Sequence, residues 1–355
     1  MNSLFDPLVI RETIFHNRVW VSPMCQYSAT DGFVGQWHSA HLDSFSTGAP
    51  GLVMVEATGV VPEGRISIAC PSIHTREHAE SFRPMIDFAH SQNVRMGIQL
   101  AHAGRKGSTM RPWDDHRMAS VAEGGWECVS SSAIAFHGYP VPRALSINEI
   151  HQLRDDFVAA AMRALEVGFD VLEIHAAHGY LFHQFYSPLA NSRTDEYGGS
   201  FENRIRFLLE TASAIRAAIP ESVPLFVRIS ATDWVDDGWN LIDSIELCAR
   251  LKEVGVDLID VSTGGNVHDA PITATPGFQV PFAAAIRNEA NILTTAVGLI
   301  TEPEQAQYII EVGEADAVFL ARAMIRNPRW ALNAAEKLGV VIEWPKQFDR
   351  GRTLP

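Results

Sequence analysis

Short apolar runs alternate with amphipathic stretches along most of the chain. Two such stretches end in Glu-Val-Gly-x-Asp, at 166–170 and 253–257, and each runs directly into a continuous apolar segment. A third ends in Glu-Val-Gly at 311–313 and leads through Asp316 into another apolar segment. Glycine after an amphipathic stretch suits the left-handed position that ends a helix, and a continuous apolar run is typical of a strand buried on both faces. The pattern predicts a repeated helix–strand unit.

Counting the apolar runs gives eight predicted strands, most of them separated by helical patterns. They are Val19–Val21, Leu52–Val55, Arg95–Leu100, Val171–Ile174, Leu225–Ile229, Leu258–Val261, Ile292–Thr295 and Ala317–Leu320. Eight alternating units fit a closed parallel (β/α)8 barrel, or TIM barrel, of roughly 250 residues. An open, doubly wound sheet is the alternative that this pattern leaves.

Two of the helices can be bounded from their caps. Ser146 followed by Glu149 forms a capping box, and apolar residues continue at helical spacing from there to Gly168. Ser200 can cap a second amphipathic stretch, which Pro220 ends. Both helices have the length that a barrel crossover needs.

A chain of 355 residues leaves on the order of a hundred beyond the barrel. We expect one domain over 1–355 with three additions. Residues 7–14 predict a small hairpin before the first strand, and 102–145 form a lid-like insertion after the third, far longer than an ordinary loop. The tail at 343–355 is the third addition.

Composition and charge exclude several function classes. The net charge of −14, from 28 basic and 42 acidic residues, offers no field for a nucleic-acid backbone. The four cysteines are scattered without C-x-x-C spacing, which favours neither a zinc site, an iron–sulfur cluster nor a disulfide framework. Residues 1–13 carry charges where a signal peptide would need an apolar core. The uncharged stretch at 269–287 contains too many prolines for a membrane span. We expect a cytoplasmic protein with no membrane or nucleic-acid partner.

The active site of such a barrel lies in the loops that follow the carboxyl ends of its strands. Polar and small residues stand at these positions around the predicted barrel, although any one of them could serve only as a cap or turn former. They are Pro23, Met24, Cys25, Gln26, Tyr27, Glu56, Ala57, Gln99, His102, His175, His178, Tyr180, Arg228, Ser262–Gly265, Val297, Gly298, Ala321 and Arg322.

His175, His178 and Tyr180 form the most informative group. Two imidazoles three residues apart at a strand end can donate hydrogen bonds to one carbonyl oxygen, and a phenol two residues further can deliver a proton nearby. This arrangement predicts a site that activates a carbonyl compound. The alternatives are two surface histidines, or metal ligands that still lack an evident third partner.

Long segments of the chain resemble the old yellow enzyme family of flavin-dependent ene-reductases. The matching segments are NRVWVSPMCQYSATDG at 17–32, HAGRK at 102–106, HAAHGYLFHQFYSP at 175–188, NSRTDEYGGSFENRIRF at 191–207 and LARAMIRNP at 320–328. The resemblance covers nearly the whole chain. Cys25, in place of a hydroxyl residue, is similar to the bacterial subgroup that includes the xenobiotic reductases.

The resemblance implies an FMN site at the strand ends. Arg228 is expected beside the flavin ring, where its charge stabilises the reduced anion, although a barrel-interior ion pair is the alternative. Ala321 replaces a glycine of the family motif, and its methyl group is expected to crowd the phosphate turn unless that turn needs only a negative φ. The residues expected to contact FMN are Ser22, Pro23, Met24, Cys25, Ala57, Gln99, Arg228, Gly298, Ala321 and Arg322.

The resemblance also implies a reaction in two halves, with NADPH or NADH as the transient reductant. An α,β-unsaturated carbonyl compound (an enone) is then reduced at its C=C bond, with His175 and His178 on its oxygen and Tyr180 as the proton donor. Tyr27 and Lys106 are expected on the substrate side, and Cys25 is expected to modulate the flavin. No G-x-G-x-x-G motif occurs, so the nicotinamide is expected to use the substrate pocket.

Arg350 lies in a tail that resembles the C-terminus of the same subgroup. There an arginine reaches the substrate pocket of the neighbouring subunit, which implies a homodimer or homotetramer. A solvated, mobile arginine is the alternative, and Arg352 could be mistaken for the functional residue.

Two functions of other classes remain open on a barrel of this kind. A Schiff-base aldolase or lyase needs a lysine in the ring of strand ends, and only Lys106 follows a barrel strand. A ligand-binding barrel without catalysis is the second possibility.

Overall fold

The computed structural model describes residues 3–115 and 117–353. The strands are β1 (Leu8–Ile10), β2 (Thr13–Phe15), β3 (Val19–Val21), β4 (Leu52–Gly59), β5 (Arg95–Ala101), β6 (Val129–Ser130), β7 (Arg143–Ala144), β8 (Val171–Ala176), β9 (Leu225–Ser230), β10 (Leu258–Ser262), β11 (Leu293–Ala296) and β12 (Ala317–Leu320). The helices are α1 (Gln36–Ser46), α2 (Arg76–Glu80), α3 (Arg83–Ser91), α4 (Ile147–Glu166), α5 (Leu181–Tyr186), α6 (Phe201–Ala218), α7 (Leu241–Glu253), α8 (Val280–Glu289), α9 (Pro303–Glu311), α10 (Arg322–Arg326) and α11 (Trp330–Lys337).

Eight strands close into a parallel barrel in the order β3-β4-β5-β8-β9-β10-β11-β12, and β12 pairs with β3. Each predicted strand is one of these eight, with ends that differ by a few residues. The TIM-barrel prediction is confirmed, and the open-sheet alternative is wrong because the first and last strands hydrogen-bond to each other.

The caps expected from the sequence are present. Ser146 Oγ accepts from the backbone N–H of Glu149 at the start of α4, and Ser200 Oγ accepts from that of Asn203 at the start of α6. Gly168, after α4, has a φ of 105°, the left-handed conformation that ends a helix at little cost for glycine. Local sequence therefore sets where these crossovers begin and end.

The predicted hairpin is confirmed as the antiparallel pair β1–β2. It closes the amino-terminal end of the barrel with an apolar plug. Phe15 of the hairpin lies 4.7 Å from Trp20 of β3, and Trp20 stacks on Phe226 of β9 at 5.8 Å, between ring centroids. A ligand therefore has access only to the other end, where the strands finish; we call this end the barrel mouth.

The long insertion at 102–145 carries the short paired strands β6 and β7 and reaches the barrel mouth. Trp113 packs edge-on against Tyr27 at 6.0 Å, and Phe136 lies under the Lys106 ammonium at 4.5 Å. His116 falls outside the described residues. These contacts place the insertion over the site, while its function as a lid stays a prediction.

The tail packs against its own chain, away from the barrel mouth. Phe348 lies under the Arg329 guanidinium at 4.3 Å, and the backbone N–H of Thr353 donates to Glu336 at 2.7 Å. Residues 343–347 lie beside His16 and Asn93, at the plugged end. No helix in the described part of the chain is long and apolar enough to span a membrane.

Candidate active site

One row of the barrel sheet brings three charged or polar side chains together. Arg228 on β9 is in register with His175 on β8 and with Asp260 on β10. Its Nε lies 2.9 Å from Asp260 Oδ2, and Thr295 on β11 donates to Asp260 Oδ1 at 2.9 Å. The ion pair considered from the sequence is therefore present. Both Nη groups of Arg228 lack a hydrogen-bond partner among the described residues, so the guanidinium can still bind a ligand.

Gln99 on β5 is held by Glu173, its register partner on β8. Gln99 Nε2 donates to Glu173 Oε1 at 2.7 Å, and both side chains are buried. Burial, followed by the negative charge of Asp260, raises the pKa of Glu173 above its usual range. The Gln99 amide is therefore fixed in orientation at the barrel mouth.

The structure brings His175, His178 and Tyr180 together. The ring centroids of His175 and His178 lie 5.2 Å apart with perpendicular planes, and those of His175 and Tyr180 lie 4.9 Å apart. Burial, followed by the charge of Arg228, lowers the pKa of both histidines well below the usual value. Burial raises the pKa of Tyr180 well above its usual value. The site therefore holds two neutral imidazoles and a protonated phenol.

Hydrogen bonds fix which imidazole nitrogen carries the proton. The backbone N–H of Ala177 donates to His175 Nδ1 at 3.3 Å, which leaves the proton on Nε2. His178 Nε2 lies 2.8 Å from Ser262 Oγ. The Ser262 hydroxyl can donate to His178 Nε2 or, at 3.4 Å, to Gln279 Oε1, which already accepts from Thr263 at 2.6 Å; the shorter contact favours His178 Nε2 as its acceptor. His175 Nε2–H and His178 Nδ1–H are then available to one acceptor.

Lys106 is bound to the backbone of the same loops. Its Nζ donates to the carbonyl oxygens of His178 at 2.8 Å and Gly265 at 2.7 Å, and it lies 5.2 Å from the centre of the Tyr180 ring. Burial, followed by the charge of Arg105, lowers the pKa of Lys106 to about 7. The amine is thus engaged in positioning, which does not favour the Schiff-base alternative.

The His178 loop approaches its neighbour too closely for a side chain at Gly179. A Cβ at Gly179, whose φ is 72°, would lie 2.3 Å from the carbonyl oxygen of Gly265. His178 itself has a φ of 57°, which a non-glycine residue adopts at a cost. The loop is therefore held in a strained conformation by its contacts with 263–266.

Cys25, Tyr27 and Tyr180 pack into one cluster with Ala57 and Ala103. The backbone N–H of Ser22, which follows β3, donates to Leu320 of β12 at 3.0 Å and fixes the start of this loop. The sequence suggested four scattered cysteines. In the structure, however, Cys25 packs against the cluster that contains Cys70.

Other strand-end residues also make local contacts. Met24 packs against the main hydrophobic core, and Pro23 is half-buried beside it. Glu56 accepts from the backbone N–H of Gln26 at 2.9 Å. His102 is buried, and its Nδ1 accepts from the backbone N–H of Gly104 at 3.0 Å.

The ends of β11 and β12 present a group of backbone amides. The N–H groups of Gly298, Leu299, Ala321 and Arg322 donate to no acceptor within the described ranges. The Arg322 side chain is exposed beside them. Ala321 has a φ of −107°, the negative value that the sequence left open as the alternative to crowding, so this turn does not need the left-handed conformation of a glycine. Free amides next to an arginine suit a phosphate group.

Three supporting residues could not be assigned from the sequence. Ser262 and Gln279 set the proton position on His178, and His183 lies 2.9 Å from Asp233 inside the barrel wall while accepting from the backbone N–H of Gly179. The segment 175–188, which contains His183, resembles the old yellow enzyme family. Nothing in the local sequence, however, predicts the contact between His183 and Asp233.

Comparison with known proteins agrees with this geometry. A model of the NADH:flavin oxidoreductase / NADH oxidase family matches residues 3–340. An NADPH dehydrogenase of Geobacillus thermodenitrificans (strain NG80-2) is 45% identical over 351 residues, which cover 98% of each chain. Morphinone reductase in complex with tetrahydroNAD superposes with a TM-score of 0.78 at 26% identity, over 98% of this chain and 93% of that one.

A 2-naphthoyl-CoA reductase superposes with a TM-score of 0.86 over 94% of this chain, at 22% identity. The chain spans about half the length of that reductase, 52%, and the likeness concerns the fold. The chain belongs to the NADH:flavin oxidoreductase / NADH oxidase family, and it is an FMN-dependent oxidoreductase of the old yellow enzyme type that uses NAD(P)H.

Proposed function

We propose that this protein reduces the C=C bond of α,β-unsaturated carbonyl compounds with electrons from NAD(P)H. The observation that carries the proposal is the group of three at the barrel mouth. His175 and His178 each keep one N–H without a partner among the described residues, and Tyr180 keeps its hydroxyl free in the same way. Two neutral donors and one protonated phenol suit a substrate whose oxygen gains negative charge.

The residues present fit FMN. The free amides at Gly298 and Ala321, with the exposed Arg322, would hold its phosphate. The guanidinium of Arg228, whose Nη groups have no hydrogen-bond partner among the described residues, and the fixed amide of Gln99 would hold the polar edge of the ring. Ser22, Pro23, Met24, Cys25 and Ala57 complete the residues that we assign to the flavin.

FMN, when bound, supplies the hydride carrier between the nicotinamide and the substrate β-carbon. His175 Nε2–H and His178 Nδ1–H bind the carbonyl oxygen and stabilise the charge that develops on it. Tyr180 O–H donates a proton to the α-carbon, and its raised pKa keeps that proton in place at neutral pH. Tyr27, which packs against the same buried cluster as Cys25 and Tyr180, orients the substrate.

The reductant and the substrate share one pocket in this proposal. The plug formed by Phe15, Trp20 and Phe226 closes the opposite end of the barrel, so the mouth is the entrance for both. Morphinone reductase, a solved relative, is described in complex with tetrahydroNAD. NAD(P)H is therefore assigned to the barrel mouth, which it leaves before the enone enters.

We assign the chain to the subgroup with a cysteine next to the flavin, as in xenobiotic reductases, on the basis of Cys25. The sulfur lies beside Ala57 and Tyr180, where it alters the polarity around the ring without reacting. Its role is to tune the reduction potential and the fit of the substrate.

Arg350 is assigned to the substrate pocket of a second subunit in a homodimer or homotetramer. Its side chain is exposed and makes no ion pair within the described part of the chain. A cytoplasmic location, which we expect from the sequence, is part of the same proposal.

Spectroscopy tests the proposal directly. The purified protein should show a flavin absorption band that NADPH bleaches under anaerobic conditions and that an enone restores. Reoxidation with production of the saturated ketone supports the proposal. A flavin that NADPH reduces but that no cyclic or open-chain enone reoxidises faster than buffer overturns it.

A further inference from the structure

Cys25 and Cys70 come from different loops but lie side by side. Cys25 follows β3, and Cys70 lies in the segment between β4 and α2. Their sulfur atoms and the nearest oxygen of Glu56 all lie within 4.8 Å of one another. Both cysteines are free thiols in this structure. The two sulfurs need to move only a short distance to meet.

Backbone hydrogen bonds hold the two loops together. The N–H of Ala29 donates to the carbonyl oxygen of Ala69 at 2.8 Å, and the N–H of Gly59 donates to that of Pro71 at 3.0 Å. On the Cys25 side, the Gln26 N–H bond to Glu56 fixes the next residue. The thiols are therefore kept as neighbours by the fold, and this proximity does not depend on loop movement.

Access to the two thiols differs. Cys70 is completely buried, whereas Cys25 is half-buried and, like Tyr27 and Tyr180, packs against the buried cluster that contains Cys70. A small oxidant that enters the mouth meets Cys25 first. Cys70 is then the only thiol of the cluster placed to react with an oxidised Cys25.

The carboxylate of Glu56 has other partners. Its Oε2 accepts from the Gln26 N–H, and its Oε1 lies 3.4 Å from His38 Nε2. Glu56 is thus largely engaged as a structural group, which leaves a pair of thiols rather than a complete ligand set for a metal ion. A dithiol pair with one accessible member is the usual arrangement of a reactive and a resolving cysteine.

We propose that Cys25 and Cys70 form a reversible intramolecular disulfide when a hydroperoxide enters the barrel mouth. The Cys25 sulfur attacks the peroxide, so that an S–O bond forms, the O–O bond breaks, and an alcohol (water from hydrogen peroxide) leaves with the thiol proton. Cys70 then attacks the sulfenic acid, an S–S bond forms, and the hydroxyl leaves as water. The two sulfurs together lose two electrons, and the peroxide gains them.

This inference goes beyond the proposed function and does not depend on it, because the step needs only the two thiols and the oxidant. A hydrogen bond with Cys70 and burial raise the pKa of Cys25 well above its usual value. Since the thiolate is the nucleophile, the raised pKa slows the first step, so the exposure to hydrogen peroxide is continued until the thiol count no longer changes. An oxidised pair would draw the Cys25 sulfur toward Cys70 and change the wall of the site.

Thiol counting and mass spectrometry on the flavin-loaded protein test the proposal. After exposure to hydrogen peroxide and removal of the excess, the denatured wild-type protein should have two of its four thiols left to alkylate. Proteolysis should give a peptide pair joined through Cys25 and Cys70, and dithiothreitol should restore all thiols. Cys128→Ser, a change at a half-buried cysteine elsewhere, serves as the matched control and should lose the same pair.

Cys70→Ser and, should it fold poorly, Cys70→Ala remove the resolving thiol. In either variant Cys25 should give a sulfenic acid that dimedone traps, and without dimedone it should advance to the sulfinic acid. The proposal is overturned when wild-type Cys25 and Cys70 both remain alkylatable after the exposure. It is equally overturned when the lost thiols map to Cys128 or to bonds between chains. Enzymatic turnover is not a readout here, so failure of this test is distinct from failure of the proposed function.

Discussion

Lys106 Nζ lies 2.8 Å from the carbonyl oxygen of His178, and the same amine binds Gly265. This lysine follows β5, so it ties three strand-end loops together beneath the imidazole that we assign to the substrate. The His178 backbone has a φ of 57°, and such a conformation persists only when its surroundings hold it. Lys106 is therefore a positioning residue for His178.

Replacing Lys106 with methionine should raise the KM for enones several-fold while retaining FMN. Methionine keeps most of the apolar volume but leaves the two carbonyl oxygens without a donor, which costs about 1–3 kcal/mol for each unsatisfied buried group. Lys106→Arg is the control. Because it keeps a donor, its KM for enones should lie between those of the wild type and Lys106→Met. An unchanged KM in Lys106→Met would refute the positioning role.

The pH dependence of stability gives a second measurement on the same variant. The folded protein holds the pKa of Lys106 at about 7, against 10.5 in the unfolded chain, so the folded state binds fewer protons between these values. The free energy of unfolding should therefore gain a positive contribution to its slope as pH rises from about 7 to about 10. Denaturant titrations of Lys106→Met should lack this contribution.

His175→Ala and His178→Ala should each slow enone reduction by about 10²–10³-fold while FMN stays bound. Each change removes one N–H donor from a site in which both imidazoles are neutral and aimed by defined partners. Phenolic ligands should bind more weakly to both variants, as measured by titration of the flavin absorption band. Full enone turnover in both variants would refute the assignment of these histidines to the carbonyl oxygen.

Tyr180→Phe should slow reoxidation of the reduced flavin by enones by about 10²–10⁴-fold and spare its reduction by NAD(P)H. Only the first of these steps needs a proton from the phenol. The two half-reactions can be measured separately by stopped-flow absorption. Equal losses in both would indicate a packing role for Tyr180, whose ring contacts His175 and lies near Lys106.

Ala321→Gly, which restores the glycine of the family motif, should not tighten FMN binding. The residue already adopts a φ of −107°, so it does not need the positive φ that glycine permits, and glycine adds flexibility worth about 0.5–1 kcal/mol to the unfolded chain. Fluorescence quenching of FMN by the apoprotein measures the Kd. A Kd ten-fold lower in the variant would show that the methyl group does obstruct the phosphate.

Local sequence signals predict the barrel and part of the site, whereas contacts between distant segments are not predictable from them. Strands such as 171–176 are largely apolar and follow a glycine that ends the preceding helix, and these local signals predicted the barrel. The positions of His175, His178 and Tyr180 follow from one short segment at a strand end. Other features of the site join segments that are far apart in the chain, and no sequence pattern predicts them. They are the hydrogen bonds of Lys106 and Ser262 to the His178 loop and the proximity of Cys25 and Cys70.

Arg350→Ala should raise the KM for enones with FMN retained, and the protein should be at least a dimer in solution. Within one chain the tail turns toward the plugged end of the barrel, where Phe348 packs under Arg329. Arg350 is exposed there and cannot serve its own barrel mouth in this arrangement, so a role in catalysis requires the mouth of another subunit.

Arg352→Ala is the matched control for Arg350→Ala, because Arg352 is tied within its own tail. Its Nε lies 3.3 Å from Asp349, and its guanidinium lies 5.8 Å from the centre of the Trp344 ring. The control should leave the KM for enones near that of the wild type. Mixed oligomers of Arg350→Ala and Tyr180→Phe subunits test the shared pocket. In such an oligomer the Arg350→Ala subunit keeps an intact Tyr180 and can receive Arg350 from its Tyr180→Phe partner, so activity should be regained. An active monomer in light scattering at assay concentration would contradict the shared site, since no second chain would then supply the arginine.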